Sequence, residues 1–307
     1  MITVIAGGVG AARLLSGLVQ VCPPADITVV ANVGDDTNIH GLHVSPDLDT
    51  ITYTLAGEIN PDTGWGLTGE TWQAMDGLAR YGGITWFRLG DRDLGTHLYR
   101  THRLSQGVTL GAVTAEITAA WGLDLIVLPV TDDRLRTMLT VSGDEITFQE
   151  YFVERRHAVP VSAVRFDGAE SAAPGPGVLE ALADAEVIVI APSNPIVSID
   201  PVLAVRGVRE ALVAARDRTV AVSPIVAGAA IKGPADRLLR ELGHSSTVVG
   251  VAQLYAPIAS VLVIDEADAA LADTVEAAGL RCVVAPTVMS SPLVTAALAK
   301  RVLEAIA

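Results

Sequence analysis

At 307 residues the chain is long enough for two domains, or for one α/β core carrying an insertion. Half of its residues are hydrophobic, 18% are charged and mean hydropathy is +0.44, so a large buried core is expected. A formal net charge of −14 argues against nucleic acid as a partner, because a phosphate backbone demands clustered cations.

The chain opens on Met1-Ile2-Thr3-Val4, which enters a hydrophobic strand with no basic leader. No apolar run is long and clean enough to span a bilayer, so no membrane association and a cytoplasmic location are expected. Cys22 and Cys282 lack the number and spacing of a disulfide framework or a metal site, which leaves free thiols as the default. The first strand runs straight into Gly7-Gly8-Val9-Gly10 and then into the helical pattern Ala11–Leu15. Strand, glycine turn and helix in this order aim backbone N–H groups at an anion, most often a nucleotide phosphate. The dinucleotide fingerprint is incomplete: Arg13 stands where a third glycine belongs, and the second strand, Ile27–Ala31, ends in Asn32 rather than an acid. A P-loop motif is absent as well. Gly7, Gly8 and Gly10 are therefore candidates for phosphate binding outside the dinucleotide class, with a simple tight turn as the alternative.

The next segment, from Asn32 to Thr50, holds Asp35, Asp36, Asp47 and Asp49 on what reads as a loop at the carboxyl edge of the sheet. Mg²⁺ is typically held by one or two carboxylates together with substrate phosphates, which makes Asp35, Asp36 and Asp47 metal candidates. The alternative is a solvated loop in which Asp47 caps a helix. His40 and His43 are ambiguous between ligands and packing residues.

Three of the four tryptophans follow within a short stretch: Trp65, Trp72 and Trp86. They offer a surface on which a planar ring could stack, or they plug the core beneath a loop. Arg88 and the run Asp91-Arg92-Asp93 read as a strand end that either binds charge or forms ion pairs.

Further strands are expected at Leu125–Val130, Val187–Ala191, Thr219–Val222, Val261–Ile264 and Cys282–Val284. Several are unbroken apolar runs, as in parallel strands covered on both faces. Helical patterns lie at Pro201–Ala215, Ala235–Leu242, Asp268–Ala278 and Pro292–Ile306. The expected fold is α/β, a doubly wound, mostly parallel Rossmann-like sheet. Within 137–173 the pattern changes to a hairpin around Gly143-Asp144 and a strand at Val161–Phe166. This reads as a small α+β insertion into a core made of 1–136 and 174–307. Ser193 and Asn194, in the loop Pro192-Ser193-Asn194-Pro195, and Ser223-Pro224 leave two further strands with groups suited to a nucleotide.

The set of Gly7-Gly8-Val9-Gly10, Ser45-Pro46-Asp47-Leu48-Asp49-Thr50, Leu89-Gly90-Asp91-Arg92-Asp93 with Thr96-His97, Pro192-Ser193-Asn194-Pro195 and Ala221–Ile225 resembles the 2-phospho-L-lactate transferase family of coenzyme F420 biosynthesis. The resemblance runs over nearly the whole chain and is nearest the actinobacterial phosphoenolpyruvyl branch. It implies a transferase whose acceptor is the deazaflavin Fo, 7,8-didemethyl-8-hydroxy-5-deazariboflavin. The implied donor is a guanosine diphosphate ester of enolpyruvate or lactate, and GMP leaves. Mg²⁺ and a homodimer are further expectations from the family. By similarity Asp49 and Arg88 contact Fo, Trp65 and Trp86 help form its pocket, and Asp49 is the candidate catalytic residue. Ser193 and Asn194 would hold the guanosine nucleotide. Two rivals stand beside this reading: a nucleotide-sugar-binding regulatory protein of related fold, and a nicotinamide-dependent oxidoreductase that Arg13 and Asn32 disfavour.

Overall fold

The computed structural model describes residues 1–306. Seven short apolar segments form one sheet, and all six pairings in it are parallel. From one edge the strands are Arg281–Val284, Val261–Ile264, Thr219–Val222, Val187–Ile190, Ile2–Ala6, Ile27–Ala31 and Ile126–Pro129. The central strands are buried along their whole length because helices cover both faces, which explains their unbroken apolar runs. The one polar side chain within Ile2–Ala6 is Thr3, and its hydroxyl donates to the carbonyl of Ala181 at 2.6 Å.

The chain winds outward in both directions from the pair Ile2–Ala6 and Val187–Ile190. Strand order reverses at this pair, so the loops leaving its carboxyl ends diverge and open a crevice between them. Those loops are Gly7–Gly10 and Pro192–Asn194. The first helix, Gly8–Val21, packs between Pro292–Glu304 and Pro46–Leu55. Gly17 permits that packing, since a Cβ there would lie 2.5 Å from the carbonyl oxygen of Thr295.

Between the second strand and Ile126–Pro129 the chain inserts a hairpin and four helices. The hairpin pairs Thr37–Ile39 with Leu42–Val44 through His40 and Gly41, both at positive φ, the geometry that matches strand twist in a two-residue turn. The helices are Pro46–Leu55, Gln73–Arg80, Asp93–Ser105 and Leu110–Ala120. This corrects the expectation of an acidic loop: Asp47 and Asp49 stand in the first turn of a helix whose first residue is Pro46. It also corrects the strand expected near Arg88, because residues 84–92 are irregular and lead into Asp93–Ser105. A satellite apolar cluster of Ile39, Val44, Met75 and Leu89 anchors this region, with Trp72 and Phe87 against it.

A second antiparallel sheet orders Asp144–Thr147, Arg136–Val141 and Ala163–Asp167, and its hairpin turns at Ser142 and Gly143. Leu139, Ile146 and Tyr151 from this segment join the same apolar core as the large sheet. Two expected helices are divided. Gly207, at φ 86°, separates Asp200–Ala204 from Val208–Ala214, and a 3₁₀ segment at Glu266–Leu271 precedes Ala272–Ala277.

Candidate active site

A cleft of about 550 Å³ lies over the carboxyl ends of the central strands, a size suited to small-molecule substrates. It brings together Gly7, Gly8, Gly10, Asp35, Asp47, Asp49, Trp65, Trp86, Arg88, Ser193 and Asn194, which are scattered over most of the sequence. Asp36 is left outside the cleft lining. Its Oδ2 accepts from Ser45 Oγ at 2.7 Å and lies 2.9 Å from His43 Nε2, which also gives His43 a packing and hydrogen-bonding role.

At the glycine turn, the helix Gly8–Val21 starts with no acidic residue of its own in the first turn. The nearest anion is Asp47, whose carboxylate is hydrogen-bonded by the backbone of Gly8 and accepts from Asn32 Nδ2 at 2.9 Å. Asn32 is fully buried, and its Oδ1 accepts from the N–H of Gly34. The residue that departs from the dinucleotide pattern thus orients an aspartate. Gly10 meets the other side of the switch point: a Cβ there would lie 2.2 Å from the carbonyl oxygen of Pro192. Ser193 donates its hydroxyl to the carbonyl of Gly7 at 2.6 Å, so it fixes the glycine turn. Asn194 Oδ1 accepts from the N–H of Ile196 and caps the helical segment that follows, leaving its amide nitrogen for other partners.

The aspartates differ in how they are satisfied. Burial pushes the Asp47 carboxyl up to about 7, against the opposing Asn32 bond. Asp35 is also pushed well above the carboxylate range, first by burial and then by the charge of Asp47, and its Oδ1 is buried without a hydrogen-bond partner. Two buried acids that repel each other, one with an orphaned oxygen, form an environment that a divalent cation would relieve. A second group, Asp49, Asp93 and His97, places one ligand atom of each within 4.8 Å of the others. That group is already neutralised: Arg100 binds Asp49 through both guanidinium nitrogens, Nη1 to Oδ2 at 3.1 Å and Nη2 to Oδ1. Tyr53 donates to Asp93 Oδ1 at 2.6 Å, and His97 Nε2 lies 3.1 Å from Asp93 Oδ2, off the line of a good hydrogen bond. For Asp93, burial raises the carboxyl, but the neighbouring His97, the Tyr53 hydroxyl and the Arg100 charge together outweigh it and hold it low. Electrostatics therefore favour the Asp35–Asp47 pair over this network as the place for a cation.

Aromatic groups form one wall. Trp65 and Trp72 meet edge to face at 6.2 Å, and the Arg88 guanidinium lies 3.9 Å over the Trp72 ring. Arg92 and Asp91 have structural work instead. Glu70 accepts from the N–H groups of Arg92 and Asp93 at the start of one helix, while Asp91 caps Gln73–Arg80 through the N–H groups of Gln73 and Ala74.

Arg100 and Tyr53 escaped the sequence reading. The signal was the spacing of Asp93, His97 and Arg100, which stacks them on one helix face once a helix is recognised there. Phe148, Gln149 and Phe152 of the second sheet's segment also line the cleft, and Gln149 Nε2 donates to the carbonyl of Asp35 at 3.0 Å.

Comparison with known proteins agrees with the geometry. The family model described as 2-phospho-L-lactate transferase CofD matches residues 2–289. The phosphoenolpyruvate transferase of Streptomyces griseus is 48% identical, covering 99% of this chain and 97% of that protein. The enzymes of the same name from Streptomyces coelicolor and Mycolicibacterium smegmatis are 46% and 39% identical, each over at least 97% of both chains. A crystal structure of a UPF0052 family member from Bacillus halodurans superposes with a TM-score of 0.63 at 17% identity, covering 98% of each chain, which speaks for the fold. The α/β fold and the sequence resemblance are both borne out. The chain belongs to the 2-phospho-L-lactate transferase family of coenzyme F420 biosynthesis and is a transferase.

Proposed function

We propose that the protein transfers a phosphoenolpyruvyl group from a guanosine diphosphate-linked donor to the terminal ribityl hydroxyl of Fo, releasing GMP. The observation that carries this reading is the single cleft in which the glycine turn, a buried acid pair and a tryptophan wall meet. The name shared by the actinobacterial relatives supports enolpyruvate over lactate as the three-carbon acid.

In this reading the hydroxyl oxygen of Fo forms a bond to the phosphorus that carries the three-carbon acid. The bond from that phosphorus to the bridging oxygen breaks, GMP leaves with the electron pair, and the hydroxyl proton passes to solvent. Such transfers depend on positioning and charge neutralisation more than on covalent help from the protein. Gly7 and Gly8 face the diphosphate with the helix N-terminus behind them, and the free amide nitrogen of Asn194 meets the nucleotide. Asp35 and Asp47 would hold Mg²⁺, with Asp36 behind them bonded to His43 and Ser45. Bound there, the ion would neutralise charge on the phosphate oxygens. Asp49 is pinned by Arg100, so its role is to accept a hydrogen bond from the Fo hydroxyl and orient it. Trp65, Trp86 and Arg88 offer the deazaflavin ring aromatic edges and a cation. A homodimer belongs to the same reading and is checked by sedimentation.

The test is a fluorescence titration of the protein with Fo, with and without Mg²⁺ and GDP. Saturable binding strengthened by the nucleotide is expected. A folded protein that ignores Fo under all these conditions, yet binds a UDP-sugar, would be the nucleotide-sugar regulator instead.

A further inference from the structure

Besides the buried ion pairs at its floor, the cleft has three exposed cationic side chains in its lining: Arg13, Arg88 and Lys232. Arg88 lies on Trp72. Arg13 and Lys232 make no salt bridge and no side-chain hydrogen bond among the described residues, although the chain carries an excess of 14 negative charges. Several other arginines also lack a partner, so what sets Arg13 and Lys232 apart is that both line the one cleft.

Their placement sharpens the point. A Cβ built on Gly64 would lie 3.2 Å from Lys232 Nζ and 4.0 Å from Val9 Cγ1. Lys232, on the loop before the helix Ala235–Glu241, thus stands against the facing loop of Gly64 and Trp65, which in turn meets the Val9 side chain of the glycine turn. Arg13 lies on the helix that the turn begins, within its second turn. At the turn itself Asp47 is already bonded to Gly8 and Asn32.

We infer that Arg13 and Lys232 are the clamp for the donor's diphosphate, closing on it from the helix side and from the cleft mouth. Both neutralise the oxygens of the phosphate that departs with GMP as the bridging P–O bond breaks. Arg13 supplies a planar pair of donors, and Lys232 a mobile point charge that follows the leaving group. The division of labour leaves the acidic floor of the cleft for a cation and its basic rim for the substrate's negative charge. This inference rests on the proposed transfer from a guanosine diphosphate ester.

The experiment measures GDP affinity and donor kinetics for wild type, Arg13→Gln, Lys232→Met and the conservative pair Arg13→Lys and Lys232→Arg, with Fo affinity as a parallel readout. Loss of one charge-assisted contact predicts roughly tenfold weaker GDP binding in each neutral variant. Donor KM should rise with it and kcat should fall, while Fo affinity is unchanged and the conservative variants recover part of the loss. Both side chains are exposed, so folding should be retained, and circular dichroism verifies it. Wild-type GDP affinity and kinetics in both neutral variants would overturn the clamp. Absence of GDP binding by folded wild type would instead overturn the functional reading on which it rests.

Discussion

Asp49 and Arg100 form a bidentate ion pair at the floor of the cleft, with the guanidinium almost fully buried. Neither partner has water to fall back on, and besides Arg100 only the His97 ring, 3.7 Å from Oδ2, stands by Asp49 among the described residues. Substituting Arg100 by Met leaves the Asp49 carboxylate buried and unpaired. The expected loss of stability is about 3–5 kcal/mol, read from chemical denaturation. Retention of wild-type stability in Arg100→Met would show that Asp49 is solvated in solution.

Asp49→Ala and Arg88→Ala separate the floor from the wall. Arg88 is exposed and packs on Trp72, so its loss should leave stability within about 0.5 kcal/mol while weakening Fo binding. Asp49→Ala should lower turnover by at least tenfold, in the manner of a lost positioning contact. It should also lower stability by orphaning Arg100. Unchanged Fo affinity and turnover in both variants would remove these residues from the Fo site.

Asp47 predicts a pH dependence with a definite sign. Its folded-state carboxyl is pushed up to about 7 by burial, above its ordinary value, so the folded protein holds a proton that the unfolded chain has already lost. Metal-free stability from this group therefore falls as pH rises from about 4 to about 7 and stays low above that. Asp47→Asn removes the effect and should stabilise the metal-free protein at pH 8, by up to roughly 4 kcal/mol, while abolishing transfer. Melting curves at pH 5 and pH 8 check it. Added Mg²⁺ should raise the melting temperature of wild type more at pH 8 than at pH 5, because only the ionised pair binds it well.

Gly10→Ala tests whether a glycine is required for the fold itself. The new methyl carbon would sit 2.2 Å from the carbonyl oxygen of Pro192, a backbone atom rather than the end of a flexible side chain. The strand-switch loops must separate, and a stability loss of about 1–3 kcal/mol is expected. Gly41→Ala, with open space around it but φ 78°, should cost only the conformational penalty of about 1 kcal/mol. Equal losses in the two would contradict the close approach of these loops.

All seven strands of the large sheet were legible in the sequence, because strands buried on both faces must be short, continuous and β-branched. The glycine turn and the loop Pro192–Asn194 were legible for a related reason: loops that leave such strands carry polar and glycine residues in a fixed order. The helices Pro46–Leu55 and Asp93–Ser105 were not. Each interrupts its apolar pattern with buried charge, Asp47 and Asp49 in one, Asp93, His97 and Arg100 in the other. A periodicity reading treats buried charge as exposed surface, so the first segment reads as a loop, and the start of the second as a strand end.

The sequence by itself determined the doubly wound, mostly parallel sheet and which residue types gather at its carboxyl edge; the switch point between the first and fourth strands in chain order came from the fold. Tertiary structure alone decided their partners. It pinned Asp49 with Arg100, turned Asp36 away toward His43, set Asn32 to orient Asp47, and brought Lys232 to the Gly64 loop. Strand identity is fixed locally, by which side chains tolerate burial on both faces. The ionisation and pairing of a buried acid depend on charges brought to it from far along the chain, as Arg100 reaches Asp49 across 51 positions, and only the folded chain sets those distances.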